Sequence, residues 1–455
     1  MSLPSTEPSA DDVLTDFDQL LEPFVRAEKP REQWRIGPEA EKFGVHATTG
    51  APLGYDGEHG VLRVLQALVE SHGWKPVAES AGGPVISLTR EHASITLEPG
   101  AQLELSGAPA VDVHEICAAQ RGHIAELRDI SSEMNLAWLG VGFHPLASQD
   151  ALTWVPKQRY KIMREYLPTR GSGALNMMRR TSTVQANLDY ANEAGAMRKL
   201  VVGLCLAPIF NAMLANSPFY EGKISGKKSL RGEVWLDMDP DRSGLLPELC
   251  DKEEPKYADY VEWALDAGMF LFKRDGEVVA NTGQSFRSFW KNGFQGHRAT
   301  LSDWKLHLNT LFPEARLKGT LEFRPCDSLP ADLVCAVPAL FAGLMYDEKS
   351  LEQAHALAKT LRWTRQEREQ LVTHGLAATL PERDVRGLAE QVLDLALAGL
   401  ERRGRLNQRG QDERIHLAVL GKLVAAGQCP ADRLLEGLSA EDGDLRVEIL
   451  ARTRV

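Results

Sequence analysis

The sequence of 455 residues predicts a mixed α+β fold. Extended segments in which polar and apolar residues alternate are interleaved with long helical patterns. They do not alternate regularly with helices, as parallel βαβ units would. After Leu333 the composition shifts to Ala, Leu, Glu and Arg at helical spacing. We therefore expect a sheet-containing core followed by an α-rich C-terminal third.

The elements follow from periodicity, taken in chain order. An apolar helical stripe covers residues 10–29, an extended pattern 34–45, and a helical pattern 60–72. The next extended stretch, 84–106, is expected to break at Pro99-Gly100, and a long helix is expected over 112–134. A short apolar strand at 138–143, a strand at 181–189, an apolar helix at 194–214 and a strand at 318–324 complete the core. The predicted regions are a helical arm (1–30), a catalytic sheet core (31–350) and a helical region packed on it (351–455).

Charge and composition exclude several classes of protein. There are 63 acidic and 52 basic residues, a net charge of −11, which argues against nucleic acid as a partner. No apolar run reaches the ~18 residues of a membrane span, and the first thirty residues lack the features of a secretory signal. Six cysteines without a CxxC pattern do not form a disulfide scaffold or a zinc ribbon. The expected compartment is the cytoplasm.

Carboxylates recur at alternating positions in four extended segments, so they share a face of the sheet in each. The residues on these polar faces are Glu39 and Glu41; Glu98, Gln102 and Glu104; Thr181, Thr183, Gln185, Asn187 and Asp189; and Lys318, Thr320, Glu322 and Arg324. One such strand alone is typical of an ordinary antiparallel sheet with a solvated face. Four segments rich in Glu, with few lysines, instead indicate a site for Mg²⁺ or Mn²⁺. Clustered Mg²⁺ ions indicate phosphoryl transfer from a nucleotide, with Arg324 supplying a cation.

Other motifs give weaker evidence of function. The segment Gly222 to Ser229 has one residue too few for a P-loop and follows a helix, so we reject that function. The acidic run from Asp237 to Asp241 lacks the glycine that an EF-hand needs. The histidines form no HExxH pair, and His114 and His123 are interpreted as surface or core residues.

At this point the sequence resembles the plant-type glutamate–cysteine ligases, which also occur in many bacteria. The resemblance spans about residues 31–450. It rests on Ile36-Gly-Pro-Glu-Ala-Glu-Lys-Phe-Gly44, Tyr55-Asp-Gly57, Ser94-Ile-Thr-Leu-Glu-Pro-Gly100, Glu104-Leu-Ser-Gly-Ala-Pro109, Arg159-Tyr160, Ile162-Met-Arg164, Asn176-Met-Met178, Thr183-Val-Gln-Ala-Asn-Leu-Asp189, Ala215-Asn-Ser-Pro-Phe219, Asp239 to Gly244 and Gly399-Leu-Glu-Arg-Arg-Gly404.

The resemblance implies ATP-dependent ligation of the γ-carboxylate of L-glutamate to the amine of L-cysteine through a γ-glutamyl phosphate, the first step of glutathione synthesis. It implies a glutamine-synthetase-like curved antiparallel sheet that forms a funnel, and a monomer or homodimer. The residues it would assign are Glu39, Glu41, Glu98, Glu104, Gln185 and Glu322 to metal, Arg324 and Arg231 to catalysis, and Arg159, Tyr160, Arg164, Thr183 and Asn216 to substrate. The segment from Ser217 to Arg231 is a candidate cover over the reaction.

The resemblance also matches Cys117 and Cys335 to one cysteine pair of the plant enzymes, which implies a conditional disulfide between them. The second plant pair has no counterpart here. The cysteines at 205, 250, 326 and 429 are interpreted as small buried apolar residues. Two alternatives stay open at this point: a ligase that joins glutamate to a different amine, and a catalytically silent homologue that binds or regulates.

Overall fold

A computed structural model describes residues 12–80, 82–439, 441 and 443–455. Strands in this part of the chain are β1 Ile36–His46, β2 Lys75–Ala78, β3 Val85–Arg90, β4 Ala93–Leu97, β5 Leu103–Ser106, β6 Leu136–Leu139, β7 Val184–Leu188, β8 Phe219–Tyr220, β9 Lys223–Ile224, β10 Ser243–Gly244, β11 Leu271–Arg274, β12 Glu277–Ala280, β13 Phe312–Pro313, β14 Ala315–Leu317 and β15 Leu321–Phe323.

The helices in the same residues are α1 Asp18–Val25, α2 Val61–His72, α3 Val113–Met134, α4 Gln158–Tyr166, α5 Ala174–Arg180, α6 Glu193–Cys205, α7 Ala207–Met213, α8 Leu230–Leu236, α9 Pro247–Asp251, α10 Tyr257–Asp266, α11 Phe286–Asn292, α12 Leu301–Leu308, α13 Ala336–Met345, α14 Glu348–Lys359, α15 Arg365–His374, α16 Val385–Arg403, α17 Ala418–Ala425, α18 Pro430–Leu435 and α19 Arg446–Thr453. A 3₁₀ helix, Glu413–Leu417, precedes α17.

The main sheet is antiparallel and open, which confirms the predicted α+β class. Its strand order is β14-β15-β7-β1-β5-β4-β3-β2, and β6 pairs with the second half of β1. The eleven-residue β1 is therefore the centre of the sheet, with β7 on one edge and β5 followed by β6 on the other. All strands that carry predicted carboxylates are neighbours in this order.

The apolar face of the sheet packs against helices. The ring of Phe323 in β15 stacks on Phe341 of α13, with 4.6 Å between ring centroids. A Cβ at Gly203 of α6 would lie 2.5 Å from the Phe323 ring, so only glycine lets this helix approach the sheet. The polar faces of the same strands point the other way, where the site lies.

Two predicted helices differ from the structure. The apolar run 194–214 forms α6 and α7, because Leu206 ends the first helix and Pro208 opens the second, with a bend of 54° between them. No single helix of the described chain is long and apolar enough to cross a membrane, although this bent, buried pair passes by length and composition. In the N-terminal arm only Asp18–Val25 is helical, and residues 1–11 lie outside the described part.

The break predicted at Pro99-Gly100 is a tight turn between β4 and β5. Ala101 has a positive φ of 66°, and a Cβ at Gly100 would lie 2.5 Å from the carbonyl oxygen of Arg179. The side chain of Gln102 is bonded to the backbone, because its Nε2 donates to the carbonyl oxygens of Met178 and Thr181. The backbone N–H of Glu98 donates to the carbonyl oxygen of Gln102 at 2.9 Å, which continues the β4–β5 register, so Gln102 lies opposite Glu98, as a shared face requires.

The C-terminal third is helical, as predicted, and is joined to the core by buried contacts. The carboxylate of Glu413 accepts a hydrogen bond from the backbone N–H of Val113 at 2.9 Å and pairs with Arg403. The helix α14 runs across residue 350, so the expected boundary there falls inside one helix. This region therefore packs as a direct continuation of the core.

Candidate active site

A row of carboxylates crosses the polar face of the sheet. Glu41 of β1 lies opposite Glu104 of β5, and Glu39 lies opposite Gln185 of β7. Glu98 follows directly after β4, whose Thr96 is opposite Glu104. The strand register thus brings together five of the six residues expected to bind metal. They share the face that the alternation of polar and apolar residues predicts.

Glu39, Glu41 and Glu104 are buried, Glu98 is partly buried, and these carboxylates repel one another. Burial raises the pKa of Glu41 well above its usual value, and the negative charges of Glu98 and Glu104 raise it further. Burial together with Glu39 and Glu98 raises the pKa of Glu104 to about 7. Without a cation, this face therefore favours protonated carboxyl groups.

Each of three carboxylates is held in place by a hydrogen bond to one oxygen. The backbone N–H of Thr183 donates to Glu41 Oε2 at 2.9 Å, and Ser106 Oγ donates to Glu104 Oε1 at 2.8 Å. Asn187 Nδ2 donates to Glu39 Oε1 at 3.0 Å. The donor set is made only of hard oxygen atoms in a mutually repelling, buried cluster, and a divalent cation such as Mg²⁺ would remove that repulsion. The residues therefore fit the expected metal.

Glu322 differs from the other acids, because basic side chains surround it. Its carboxylate accepts hydrogen bonds from Arg316 Nη2 at 2.7 and 2.9 Å and makes short ion pairs with Lys318 and Arg324. Burial alone would raise its pKa, but these three cations hold the pKa of Glu322 well below its usual value. Its charge is already compensated, and it orients Arg324.

Arg324 connects this basic cluster to the carboxylate row. Its Nη1 donates to Gln185 Oε1 at 3.0 Å while it pairs with Glu322. The guanidinium also lies 5.8 Å from the ring of Trp235. The planar fork of arginine can hold both partners and still face the space above the sheet.

Arg231 lies beside Arg324 at the start of α8. Its Nη2 donates to the carbonyl oxygen of Arg324 at 2.7 Å, and its positive charge lowers the pKa of Glu41. Trp235, one turn further along α8, has a buried indole N–H with no hydrogen-bond partner among the described residues. Sequence reasoning did not find Trp235, because its unpaired donor is visible only in three dimensions.

The helix α4 places a basic and aromatic group at the opposite end of the row. The hydroxyl of Tyr160 donates to the carbonyl oxygen of Leu97 at 2.9 Å, next to Glu98, and Arg159 Nη2 contacts the same hydroxyl at 3.2 Å. Lys157 Nζ donates to the same carbonyl at 2.6 Å, and burial lowers its pKa to about 8. Sequence reasoning missed Lys157, although it lies two residues before the quoted Arg159-Tyr160 pair.

Three residues expected to bind substrate have donor groups in contact with other parts of the protein. Arg164 is exposed, with its guanidinium 5.6 Å from the ring of Trp154. The Thr183 hydroxyl donates to the carbonyl oxygen of Cys326 at 2.6 Å. Asn216 Nδ2 donates to the carbonyl oxygens of Gly140 and Ser328. The contacts of Thr183 and Asn216 support neighbouring segments of the site.

The expected cover, Ser217 to Arg231, is anchored in the structure. It contains the β8–β9 hairpin, and Lys228 Nζ pairs with Asp432 of α18 at 2.6 Å. Its two ends meet at Asp327, whose carboxylate accepts hydrogen bonds from Ser217 Oγ at 2.6 Å and Ser229 Oγ at 2.8 Å. The segment, which ends at Arg231, is therefore held in place and forms one wall of the site.

The predicted cysteine pair is confirmed. Cys117 and Cys335 form a disulfide with 5.9 Å between their Cα atoms, joining α3 to the residue before α13. The four other cysteines are free and buried, as expected.

Comparisons with known proteins show the family of the chain. Residues 35–450 match the model of glutamate-cysteine ligase family 2. The chain is 42% identical over 426 residues to the chloroplastic glutamate–cysteine ligase B of Oryza sativa subsp. japonica, covering 92% of this chain and 83% of that protein. It is 40% identical over 423 residues to the chloroplastic glutamate–cysteine ligase of Arabidopsis thaliana, covering 91% and 78%. A crystal structure of glutamate–cysteine ligase from Francisella tularensis in complex with AMP shares the fold, with a TM-score of 0.54 at 14% identity over 92% of this chain and 87% of that one.

Proposed function

This chain belongs to glutamate-cysteine ligase family 2, and on that premise we propose that it joins the γ-carboxylate of L-glutamate to the amine of L-cysteine, using ATP and releasing ADP and phosphate. The observation that carries the proposal is the row of buried Glu39, Glu41 and Glu104 with partly buried Glu98, beside Arg324 and Arg231. One face of the sheet thus offers a cation site next to two guanidinium groups. Substrates with several negative charges require such a pairing.

In this proposal Glu39, Glu41, Glu98 and Glu104 hold Mg²⁺, or Mn²⁺, with Gln185 at the edge of the site. When bound, the metal neutralises phosphate charge and orients the nucleotide. We leave Glu322 outside this ligand set, because Arg316, Lys318 and Arg324 already compensate its charge. Its role is to position Arg324.

The protein's own groups would then perform three tasks. Arg324 faces the transferring phosphoryl group and stabilises the charge that develops there, because its fork is fixed by Gln185 and Glu322. Phosphorylation turns the γ-carboxylate of glutamate into an acyl phosphate, which the neutral amine of cysteine attacks with release of phosphate. Arg159 and Tyr160, beside Glu98, are proposed to bind an amino-acid substrate. The wall from Ser217 to Arg231 limits access of water.

The experiment is product analysis of the purified chain. After incubation with glutamate, cysteine, ATP and Mg²⁺, mass spectrometry should find γ-glutamylcysteine and ADP in equal amounts. Chelation of Mg²⁺ should abolish both, and the exposed-site variant Glu58→Gln should retain both. ADP formation with another amine but not with cysteine would favour the alternative ligase, and no ADP with any amine would favour a silent homologue.

Compartment and assembly are also proposals. We propose a cytoplasmic protein that acts as a monomer or homodimer on small-molecule substrates. Cell fractionation and light scattering of the full chain test these two statements separately.

A further inference from the structure

We propose that reduction of the Cys117–Cys335 disulfide creates a zinc site formed by the two thiolates and Nδ1 of His416. The three side chains come from α3, from the N-cap of α13 and from the 3₁₀ helix Glu413–Leu417. Their ligand atoms all lie within 4.8 Å of one another. This inference does not depend on the proposed ligase activity.

The distances suit a tetrahedral zinc ion. Zn–S bonds of ~2.3 Å and a Zn–N bond of ~2.0 Å place a sulfur about 3.5 Å from the nitrogen and the two sulfurs about 3.8 Å apart. In the structure Cys117 Sγ lies 3.3 Å from His416 Nδ1. The Cα atoms of the cysteines are 5.9 Å apart, so only the two sulfur atoms must separate after reduction. Rotation about χ1 of the freed thiols supplies that movement.

A chain of hydrogen bonds fixes the tautomer that metal binding needs. The carbonyl oxygen of Arg405 can only accept, so the His114 Nε2 that contacts it at 3.3 Å carries the proton. His114 Nδ1 then accepts from His416 Nε2 at 2.9 Å. The lone pair of His416 Nδ1 therefore faces Cys117. Metal-bound histidines usually donate their second ring N–H to such an acceptor.

The third ligand is held in place independently of the disulfide. Glu413, in the same 3₁₀ helix as His416, is fully buried and accepts a hydrogen bond from the N–H of Val113 at the start of α3. Its other partner is Arg403 of α16, at 2.9 Å. His416 thus stays next to the first turns of α3, where Cys117 lies, when the disulfide opens. His416 is only partly buried, which leaves a position for a water molecule as fourth ligand.

The chemistry balances with a thiol reductant. Two thiols of the reductant are oxidised to their own disulfide, while the two electrons and two protons convert the Cys117–Cys335 bond into two thiol groups. Zn²⁺ then displaces both thiol protons, and the two thiolates neutralise its charge. In the oxidised protein the sulfur atoms carry no charge, so the disulfide and the metal exclude each other.

Cobalt is the probe for the test, because a thiolate-to-cobalt charge-transfer band appears only when sulfur binds the metal. Cobalt bound by the carboxylate row gives no such band. The full chain is reduced with a phosphine, freed of reductant under anaerobic conditions and titrated with Co²⁺. We expect one equivalent of Co²⁺ to produce the band in the reduced protein, none in the oxidised protein, and one equivalent of Zn²⁺ to remove it. A reduced protein without the band would overturn the proposal.

Variants test each part of the site. Cys117→Ser and His416→Gln should lose the band, and the matched control His92→Gln, at an exposed histidine, should keep it. His114→Ala retains all three ligands, so it should keep the band with about 10-fold weaker zinc binding, measured by competition with a chromogenic chelator. An undiminished band in His416→Gln, or unchanged affinity in His114→Ala, contradicts the proposed ligand and its tautomer. The oxidised histidine variants retain the disulfide, so their thermal midpoints check that they fold, and the midpoint of Cys117→Ser is compared with that of the reduced wild type.

Discussion

Replacement of Glu104 by glutamine should stabilise the protein and inactivate it at the same time. Glu104 is 8% exposed and lies opposite Glu41, and burial together with Glu39 and Glu98 raises its pKa from 4.5 to about 7. Glutamine has the same shape and keeps an oxygen that can accept the 2.8 Å hydrogen bond from Ser106. The substitution therefore removes charge with little change in packing.

The size of the effect follows from the pKa. A rise from 4.5 to about 7 corresponds to roughly 3 kcal/mol of penalty for the ionised carboxyl group in the folded state. Because the folded pKa lies above the unfolded one, this penalty is absent below pH 4.5, grows between pH 4.5 and 7, and is constant above pH 7. In the absence of divalent cations, Glu104→Gln should be more stable than wild type at pH 8 by up to ~3 kcal/mol, with no difference near pH 4.5.

Thermal unfolding in a chelator and in Mg²⁺ provides the assay, with ligation measured on the same samples. Wild type should gain stability from Mg²⁺ at pH 8, whereas Glu104→Gln should gain less and lose ligase activity by more than ~100-fold. The exposed-site control Glu58→Gln should match wild type in all three measurements. A variant that is less stable than wild type at pH 8 in chelator, or that responds fully to Mg²⁺, would refute the reasoning.

Four further outcomes are expected. Arg324→Lys keeps the charge but cannot hold both Gln185 and Glu322, so kcat should fall about 100-fold with little change in KM for glutamate; an effect on KM alone would place Arg324 in an amino-acid pocket. Glu322→Gln leaves three cations without their partner and should destabilise the fold by about 3–5 kcal/mol, and an unchanged melting midpoint would contradict this. In Gly100→Ala the new Cβ would lie 2.5 Å from the carbonyl oxygen of Arg179, so the free energy of unfolding should fall by about 1–3 kcal/mol, measured by denaturant unfolding. Gly122→Ala, where no atom lies within 4 Å of the new Cβ, should not show this loss. Lys42→Met removes a buried ammonium group, and burial lowers the pKa of that group to about 8. The variant should therefore unfold with a free energy ~3 kcal/mol higher than wild type below pH 8, and this gain should fade towards pH 10.5. No gain at pH 7 would show that the ammonium group has a partner.

Much of the carboxylate row could be predicted from the sequence, because alternation within a strand fixes which side chains share a face. Glu39 and Glu41 needed only the parity of β1, and Glu104 needed only the hairpin that joins β4 to β5. The alternation could not show that Gln102 donates to the backbone carbonyl oxygens of Met178 and Thr181, because those contacts depend on the tertiary fold.

The missing parts of the site depend on contacts between distant residues. Nothing in the segment around Glu322 shows that Arg316 of the neighbouring strand compensates its charge, because that requires the register of β14 against β15. His416 reaches Cys117 across 299 residues, and Lys157 reaches Leu97 across 60. Periodicity describes single elements, whereas such encounters are set by the tertiary fold.

The strand order has a consequence for synthesis on the ribosome. The central strand β1 finds its neighbours β5, β6 and β7 among the first 188 residues, but β15 pairs with β7 only after residue 323 has been made. A growing chain can therefore assemble the acidic half of the face while Arg324 is still missing. Since domains fold as synthesis proceeds, nascent chains that end before β14 should contain the carboxylate row and Arg231 but lack Arg324, which directly follows β15. Such chains should depend on divalent cations to keep the half-built sheet together, and they should be cleaved faster by protease when Mg²⁺ is withdrawn than the finished protein is.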